Sequence, residues 1–308
     1  MGDASQSPAS TGDAWSRVTV VTVAYRSRAV IAECLASVAR AKSVVVVDNA
    51  SDDDSTAVAR AALPSARIVA NRVNQGFGRA NNQGAALAET EFALLLNPDA
   101  QLEPGALEQL VACADRNPNA AIVAPAILNA DGTRITSHNV GLFDQSRIRG
   151  KTRLPPDGDI CADFLSGAAL MVRTAAFREI GGFDPNIFLY FEDDDLCLRM
   201  RRAGYALVQT PAAAVRHKGG LSSPPTPEIV RRKFWHLSWS RLYLEAKHRD
   251  RATACAWGRR SAHAFTIKAL WHGLAGHRDK ALRDRARRDG TKAFLKGRSA
   301  LAEAGVTP

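Results

Sequence analysis

Residues 191–199 read FEDDDLCLR, so four consecutive carboxylates, Glu192 to Asp195, sit between Phe188, Leu189, Tyr190 and Phe191 on one side and Leu196 and Leu198 on the other. No fold needs such a run, because adjacent acids repel one another. The apolar flanks anchor it in a core, where desolvation raises a carboxyl pKa toward neutrality, as a general base requires. The structural alternative is a helix N-terminus, where acids favour the positive end of the macrodipole. Both hold together if a helix starts near Asp194 and presents its first acids to a cleft. Elsewhere, Asp48 and Asp99 each end an apolar strand and enter a turn. Singly, either could serve only the turn; jointly they open into one crevice. Asp99, with Asn97 beside it, offers hard oxygen ligands to a divalent cation that would neutralise a diphosphate. Asp48 would accept a hydrogen bond from a base edge or ribose. His217, after the last strand, could complete the metal shell as a neutral imidazole or be merely structural. Gly76 in NQGFG lets backbone approach a phosphate or sugar, with Asn81 and Asn82 at the next helix start; an ordinary turn and N-cap is the alternative. The GxGxxG spacing fails, and no Walker lysine, GxSxG elbow or Ser-His-Asp order is present.

These residues need a scaffold, and the chain supplies one. Strands are expected at 18–25 (VTVVTVAY), 43–51, 92–100 and 120–128, with a short strand and a loop within 66–78, and helices at 28–41, 55–64, 79–90 and 104–118 between them. Four strand–helix alternations predict an α/β fold with a mostly parallel, doubly wound sheet. Ligands of such sheets sit beyond the carboxyl ends of the strands. Those ends carry Tyr25, Asp48-Asn49 and Asn97-Pro98-Asp99. Residues 129–162 are polar and aperiodic, a functional or partly disordered loop. From about Pro227 the chain is helical and basic.

The net charge is +10, but residues 231–308 hold 19 Lys/Arg against 6 Asp/Glu, so the positive balance belongs to the C-terminal region. That region suits nucleic acid, anionic lipid or a solvated helical face. Residues 227–245, with Trp235, Trp239 and Tyr243 among basic residues, suit a helix at a membrane interface, one walling an acceptor site, or a core-packed helix. Five scattered cysteines without a CxxC pair point to a reducing compartment. No apolar run reaches membrane-spanning length, and the N-terminal 16 residues read as a disordered tail without a signal-peptide core.

Seven segments in order, TVVTVAYRS, VVVVDNASDDDS, NQGFGRANNQG, LLLNPDA, FLSGAALMVR, GGFDPNIFLYFEDDDLCLR and HKGG, resemble the family 2 inverting glycosyltransferases, more narrowly the rhamnosyltransferase-like members, and span residues 18–223. The resemblance implies the GT-A fold with a C-terminal helical extension. It divides the chain into a tail (1–16), a catalytic domain (17–226, with a nucleotide-binding half 17–128 and an acceptor half 129–226) and a basic helical region (227–308). It implies a nucleotide-diphosphate sugar donor, with dTDP-rhamnose the best guess, a glycan or lipid-linked acceptor, a divalent cation, and inversion at the anomeric carbon. By the same resemblance Tyr25 and Asp48 contact the base, with Asn49, Ser51, Gly76, Asn81 and Asn97 completing the nucleotide site. Asp99 is the metal ligand of a DxD-type motif whose first acid is replaced by Asn97, and His217 is a further metal or diphosphate contact. Asp193 is the base and Glu192 its neighbour, whereas Asp194 stands where the family more often has an apolar residue; the reading of the chain itself adds Gly167, Asp194 and Trp235 as acceptor-facing. A cytoplasmic enzyme, peripheral at the inner face of the membrane through its basic region, follows. The rival expectation is a non-catalytic GT-A-like module or a basic nucleic-acid-binding protein, disfavoured because the acids would repel phosphate without a cation.

Overall fold

A computed structural model describes residues 13–144, 156–219 and 226–306. The strands are β1 (Val18–Ala24), β2 (Ser43–Asp48), β3 (Arg67–Ala70), β4 (Phe92–Leu96), β5 (Ala100–Leu102), β6 (Ala120–Leu128), β7 (Arg134–Ile135), β8 (His138–Asn139), β9 (Ile160–Cys161), β10 (Phe164–Leu165), β11 (Ala169–Arg173) and β12 (Ala206–His217). The helices are α1 (Ile31–Ser37), α2 (Ser55–Ala62), α3 (Phe77–Ala86), α4 (Ala106–Arg116), α5 (Thr174–Glu179), α6 (Glu192–Arg202), α7 (Pro227–His248), α8 (Arg251–Leu274), α9 (Arg278–Leu295) and α10 (Ala300–Glu303).

The main sheet runs β3-β2-β1-β4-β11-β6-β12-β5. From β3 to β4 it is parallel, as the strand–helix alternation predicts. β11 then pairs antiparallel with both β4 and β6, while β6 and β12 are parallel to each other. The chain therefore builds a parallel half first and splices the second half onto it through one reversed strand. All seven residues of β1 are buried. They alternate between two cores: Val18 and Val20 pack with Ile31, Leu35, Leu107 and Leu110, whereas Val21 and Val23 pack with Ala80, Phe177, Phe183 and Leu196. Helices on both faces explain why the strands read as unbroken apolar runs.

A third core belongs to the C-terminal helices and gathers Trp235, Trp239, Leu242, Ala254, Phe294 and Leu301 with Phe188. Trp235 is 3% and Trp239 5% exposed. The aromatic face of α7 is thus turned inward, and burying side chains of this size stabilises by about 2–3 kcal/mol each. Of the alternatives open for 227–245, the aromatic residues follow the core-packed one.

At the other end, Asp13 caps a 3-10 turn over Ala14–Arg17, and Trp15 is buried with its indole N–H donating to Glu108 at 2.7 Å. The tail expected over 1–16 is anchored at its last four residues, and residues 1–12 lie outside the described ones. Residues 145–155 of the long polar loop and the stretch after Gly219 also lie outside.

Candidate active site

A cavity of about 440 Å³ opens at the carboxyl ends of the strands. Val23 lies near the end of β1 and Tyr25 follows it, Asn49 follows β2, Asn74 and Gly76 precede α3, and Asn97-Pro98 follows β4. Ser166, Gly167 and Ala168 enter from the turn before β11, Glu192 and Asp193 from α6, His217 from the end of β12, and Ile229, Arg232 and Lys233 from α7.

The rim is built of constrained backbone. Among the described residues, the non-glycine positions with positive φ are Arg26 (53°), Ala50 (64°), Tyr190 (67°) and Phe191 (67°). Each follows or precedes an element that feeds the cavity, and left-handed backbone costs about 1–2 kcal/mol per residue. The pair at Tyr190 and Phe191 turns the chain sharply into α6, so this helix begins at Glu192, two residues earlier than predicted.

The four acids separate into distinct roles. Asp193 lines the cavity and accepts N–H bonds from Gly167 (3.1 Å) and from Asp194 (3.0 Å). Burial raises its pKa, against the opposing pull of those two amides. Glu192 is buried, its Oε2 has no hydrogen-bond partner among the described residues, and burial followed by the charge of Asp193 pushes its carboxyl well above the usual range. Asp194 points elsewhere, into a small side cavity with Gly141, Phe143, Asp163 and Arg201. Burial and then Asp193 bring its pKa up to about 8, with Arg241 opposing. It is therefore not a wall of the main cavity, although its charge does act on Glu192.

Asp195 faces away from the cavity and is fully buried. Its Oδ1 receives Lys247 Nζ at 2.6 Å and lies 2.7 Å from His248 Nε2, and its Oδ2 receives Arg199 Nε at 2.7 Å. Burial alone would raise this carboxyl, but His248, Arg199 and Lys247 hold it at about 2. Lys247 also reaches Asp184 at 2.6 Å, where Tyr243 donates as well. The helix that carries Asp193 is thereby clamped to α7.

On the strand-end side, Asn97 lines the cavity and its Oδ1 is a buried acceptor without a partner among the described residues. Asp99 stands behind it, its carboxylate fully buried and 3.2 Å from His217 Nε2; His217 itself reaches the cavity. Among the described residues, no three His, Cys, Asp or Glu side chains converge as a metal site. Tyr25 receives Arg232 Nη1 on its hydroxyl at 3.1 Å, and the Arg26 and Arg232 guanidinium groups both lie over its ring. Lys233 lies 5.7 Å from the Tyr190 ring.

Several expected contacts fall elsewhere. Asp48 ends β2 just below the cavity, with its Oδ1 a buried acceptor lacking a partner, and the next residue, Asn49, provides the lining. Asn49 spends its Nδ2 on Asn74 and the Gly76 carbonyl and its Oδ1 on the Gln75 amide, which sets the loop over the cavity. Ser51 accepts from the Arg26 amide at 3.0 Å and holds the turn after β1 instead of lining the site. Asn81 is buried inside α3 and donates to the Phe77 carbonyl, while Asn82 binds the Phe183 backbone. Trp235 belongs to the third core and not to an acceptor surface. In its place α7 presents Ile229, Arg232 and Lys233. Sequence reasoning missed the two cations, whose only signal was their position one helical turn before the buried aromatics.

Gly76 has φ +84°, and a methyl group there would collide with the Phe188 carbonyl oxygen. Gly76→Ala is expected to destabilise the protein by about 1–3 kcal/mol and to displace the Gln75-Gly76 loop from the cavity. Thermal denaturation and nucleotide affinity read both effects; an unchanged affinity would show that the loop is not part of the site.

Two comparisons of fold and sequence match this geometry. The structure superposes on a mannosyltransferase (PcManGT) from Pyrobaculum calidifontis, solved with GDP-Man and Mn2+, with a TM-score of 0.54 and 15% identity over 91% of this chain and 87% of that one. The architecture is the GT-A fold of glycosyltransferases. Residues 19–181 match the glycosyl transferase family 2 model, more than half of the chain, and the protein belongs to that family. It is 31% identical over 243 residues to the N-acetylglucosaminyl-diphospho-decaprenol L-rhamnosyltransferase of Mycobacterium tuberculosis, covering 68% of this chain and 78% of the relative. It is 27% identical over 191 residues to the rhamnosyltransferase WbbL of Escherichia coli K12, covering 56% and 71%. Among the described residues, no helix is long and apolar enough to cross a membrane.

Proposed function

We propose that this glycosyltransferase moves L-rhamnose from dTDP-rhamnose to a hydroxyl of a lipid-linked glycan, with inversion at the anomeric carbon. One observation carries the site assignment: a single cavity receives both the strand-end group Asn97-Pro98-His217 and the buried acids Glu192 and Asp193. The sugar and the acceptor class rest on the rhamnosyltransferase relatives.

In this reading the nucleotide lies against Tyr25, Asn49 and the Gly76 loop, and the Asp48 acceptor atom awaits an N–H or O–H from it. Arg232 and Lys233 face the diphosphate. The acceptor hydroxyl approaches Asp193. Gly167 and Asp194 hold the Asp193 carboxylate in a fixed orientation, and its raised pKa suits it to remove a proton as attack occurs. Glu192, whose carboxyl burial and the neighbouring Asp193 push up, stands beside it in the cavity.

Asp99, His217 and the Asn97 Oδ1 form a donor set that fits a hard divalent cation only if substrate phosphates and water supply the rest of the shell, the usual arrangement for Mg2+. A cation bound there would offset charge developing on the departing diphosphate.

A thermal-shift screen of nucleotide sugars with Mg2+ or Mn2+, followed by nucleotide release with acceptor, tests this. dTDP-rhamnose is expected to give the largest shift, weakened by a chelator. A UDP- or GDP-sugar giving the larger shift would overturn the donor. Salt-sensitive DNA or RNA binding with no release from any donor would overturn the enzyme reading.

A further inference from the structure

The C-terminal end of α8 carries an exposed apolar stripe, whose Trp271 ring lies beside the His272 and His277 rings. Ile267, Leu270, Trp271 and Leu274 are 55%, 65%, 60% and 90% exposed. Their i, i+3, i+4, i+7 spacing places them on one face over two turns. They account for four of the seven large apolar side chains exposed among the described residues, which rules out random scatter. The opposite side of the helix, with Ala254, Gly258, Ala262 and Ala269, is the buried one. The stripe ends at the short turn between α8 and α9, so it crowns a protruding helical hairpin.

Positive charge rings it. Residues 251–283 contain seven Lys/Arg and a single acid, Asp279. Arg260, Lys268, Arg278 and Lys280 are exposed, and among the described residues none of them forms an ion pair. The Arg285 guanidinium reaches back toward Gly273 at the same tip.

We propose that this tip docks on an anionic lipid bilayer: Ile267, Leu270, Trp271 and Leu274 enter the boundary between headgroups and acyl chains, and the surrounding cations meet lipid phosphates. An amphipathic helical face with an aromatic ring and flanking Lys/Arg lies in such an interface. The stripe is only eight residues long, about 12 Å of helix, which suffices for shallow insertion and not for crossing. Charge decides against the other occupant of such a face. A second copy would bring two rings of unpaired cations together, whereas anionic headgroups complement them. The hairpin packs on α7 through Gly258, which sits against Leu242, and α7 lines the catalytic cavity. A docked tip would therefore hold the cavity at a set attitude to the bilayer. This surface stands independently of which sugar is transferred.

The test is sedimentation of the full-length protein with vesicles of phosphatidylcholine alone or mixed with phosphatidylglycerol, at low and high salt. Wild type is expected to bind only the anionic vesicles, less at high salt. The double variant Leu270→Glu/Leu274→Glu should bind at least about tenfold more weakly while releasing nucleotide from donor and a water-soluble acceptor at the wild-type rate. Lys268→Glu/Lys280→Glu should weaken binding and flatten its salt dependence. Equal binding by all variants, or none by wild type, would overturn the proposal. Wild type that dimerises in ultracentrifugation, ignores vesicles and becomes monomeric on Leu270→Glu/Leu274→Glu would assign the face to a second copy instead.

Discussion

Asp193→Asn is expected to lower kcat by about 10²–10⁴-fold, the contribution of one positioned general base. The corresponding rise in barrier is about 3–5 kcal/mol. Donor affinity should stay near wild type, because nothing in the proposed roles has Asp193 holding the nucleotide. The fold should survive as well: an Asn carbonyl still accepts from one of the two amides, Gly167 or Asp194, that now fix the carboxylate. Titration of donor by thermal shift and single-turnover kinetics separate the two quantities. The pH profile adds a signature. Burial raises the Asp193 pKa, so the wild-type rate should fall on the acid side starting at a higher pH than an ordinary Asp would dictate, and the variant should lose that limb. A loss of donor affinity as large as the loss of rate would make Asp193 a structural residue.

The second large effect concerns stability. Asp195→Ala should destabilise the protein by about 3–5 kcal/mol, because it takes a fully buried carboxylate from between Lys247, His248 and Arg199. Asp195→Asn should fall between that variant and wild type: its one amide oxygen still accepts on one side, while its NH2 meets a donor on the other and the charge is gone. Acid denaturation carries a matching prediction. The folded carboxyl is held at about 2, below the ordinary aspartate value of 3.8, so its contribution is complete above about pH 4. It is lost as pH falls toward 2, an amount on the order of 2 kcal/mol. Asp194 acts in the opposite direction: its folded pKa of about 8 means that stability declines as pH rises from about 4 through 8. Urea titrations of wild type, Asp195→Asn and Asp194→Asn across this range check both signs. An Asp195→Ala protein as stable as wild type would show that the clamp on α6 contributes nothing.

Much of this was legible beforehand because it depends on local pattern. Apolar runs announced β1, β2, β4 and β6, and turn residues at their ends marked Tyr25, Asn49 and Asn97 as cavity neighbours. The acid run marked the base helix. What four identical-looking acids could not reveal was their division of labour. Asp193 and Asp195 differ by two helix positions and so face opposite ways, which matters only once α7 and the turn before β11 are in place. The start of α6 was misplaced because left-handed backbone at Tyr190 and Phe191 leaves no trace in side-chain type. Ser51 and Asn81 were drawn toward the ligand by their chemistry, yet each satisfies a backbone group nearby. Trp235 and the cations of α7 were confused for a related reason: composition tells that a helix has an aromatic and a basic face, and only packing tells which one meets the core.

The reversed strand β11 has a consequence for how the chain can be cut. β4 is flanked by β1 on one side and by β11 on the other, yet β11 arrives more than seventy residues later in the chain. A fragment stopping at residue 128 would contain every helix and strand of the parallel half and still leave the β4 edge bare, a row of unpaired Leu94–Leu96 backbone groups beside buried leucines. Such an edge invites other strands to pair with it. On a ribosome the nascent parallel half must therefore wait, or be shielded, until residues 169–173 emerge to seal it.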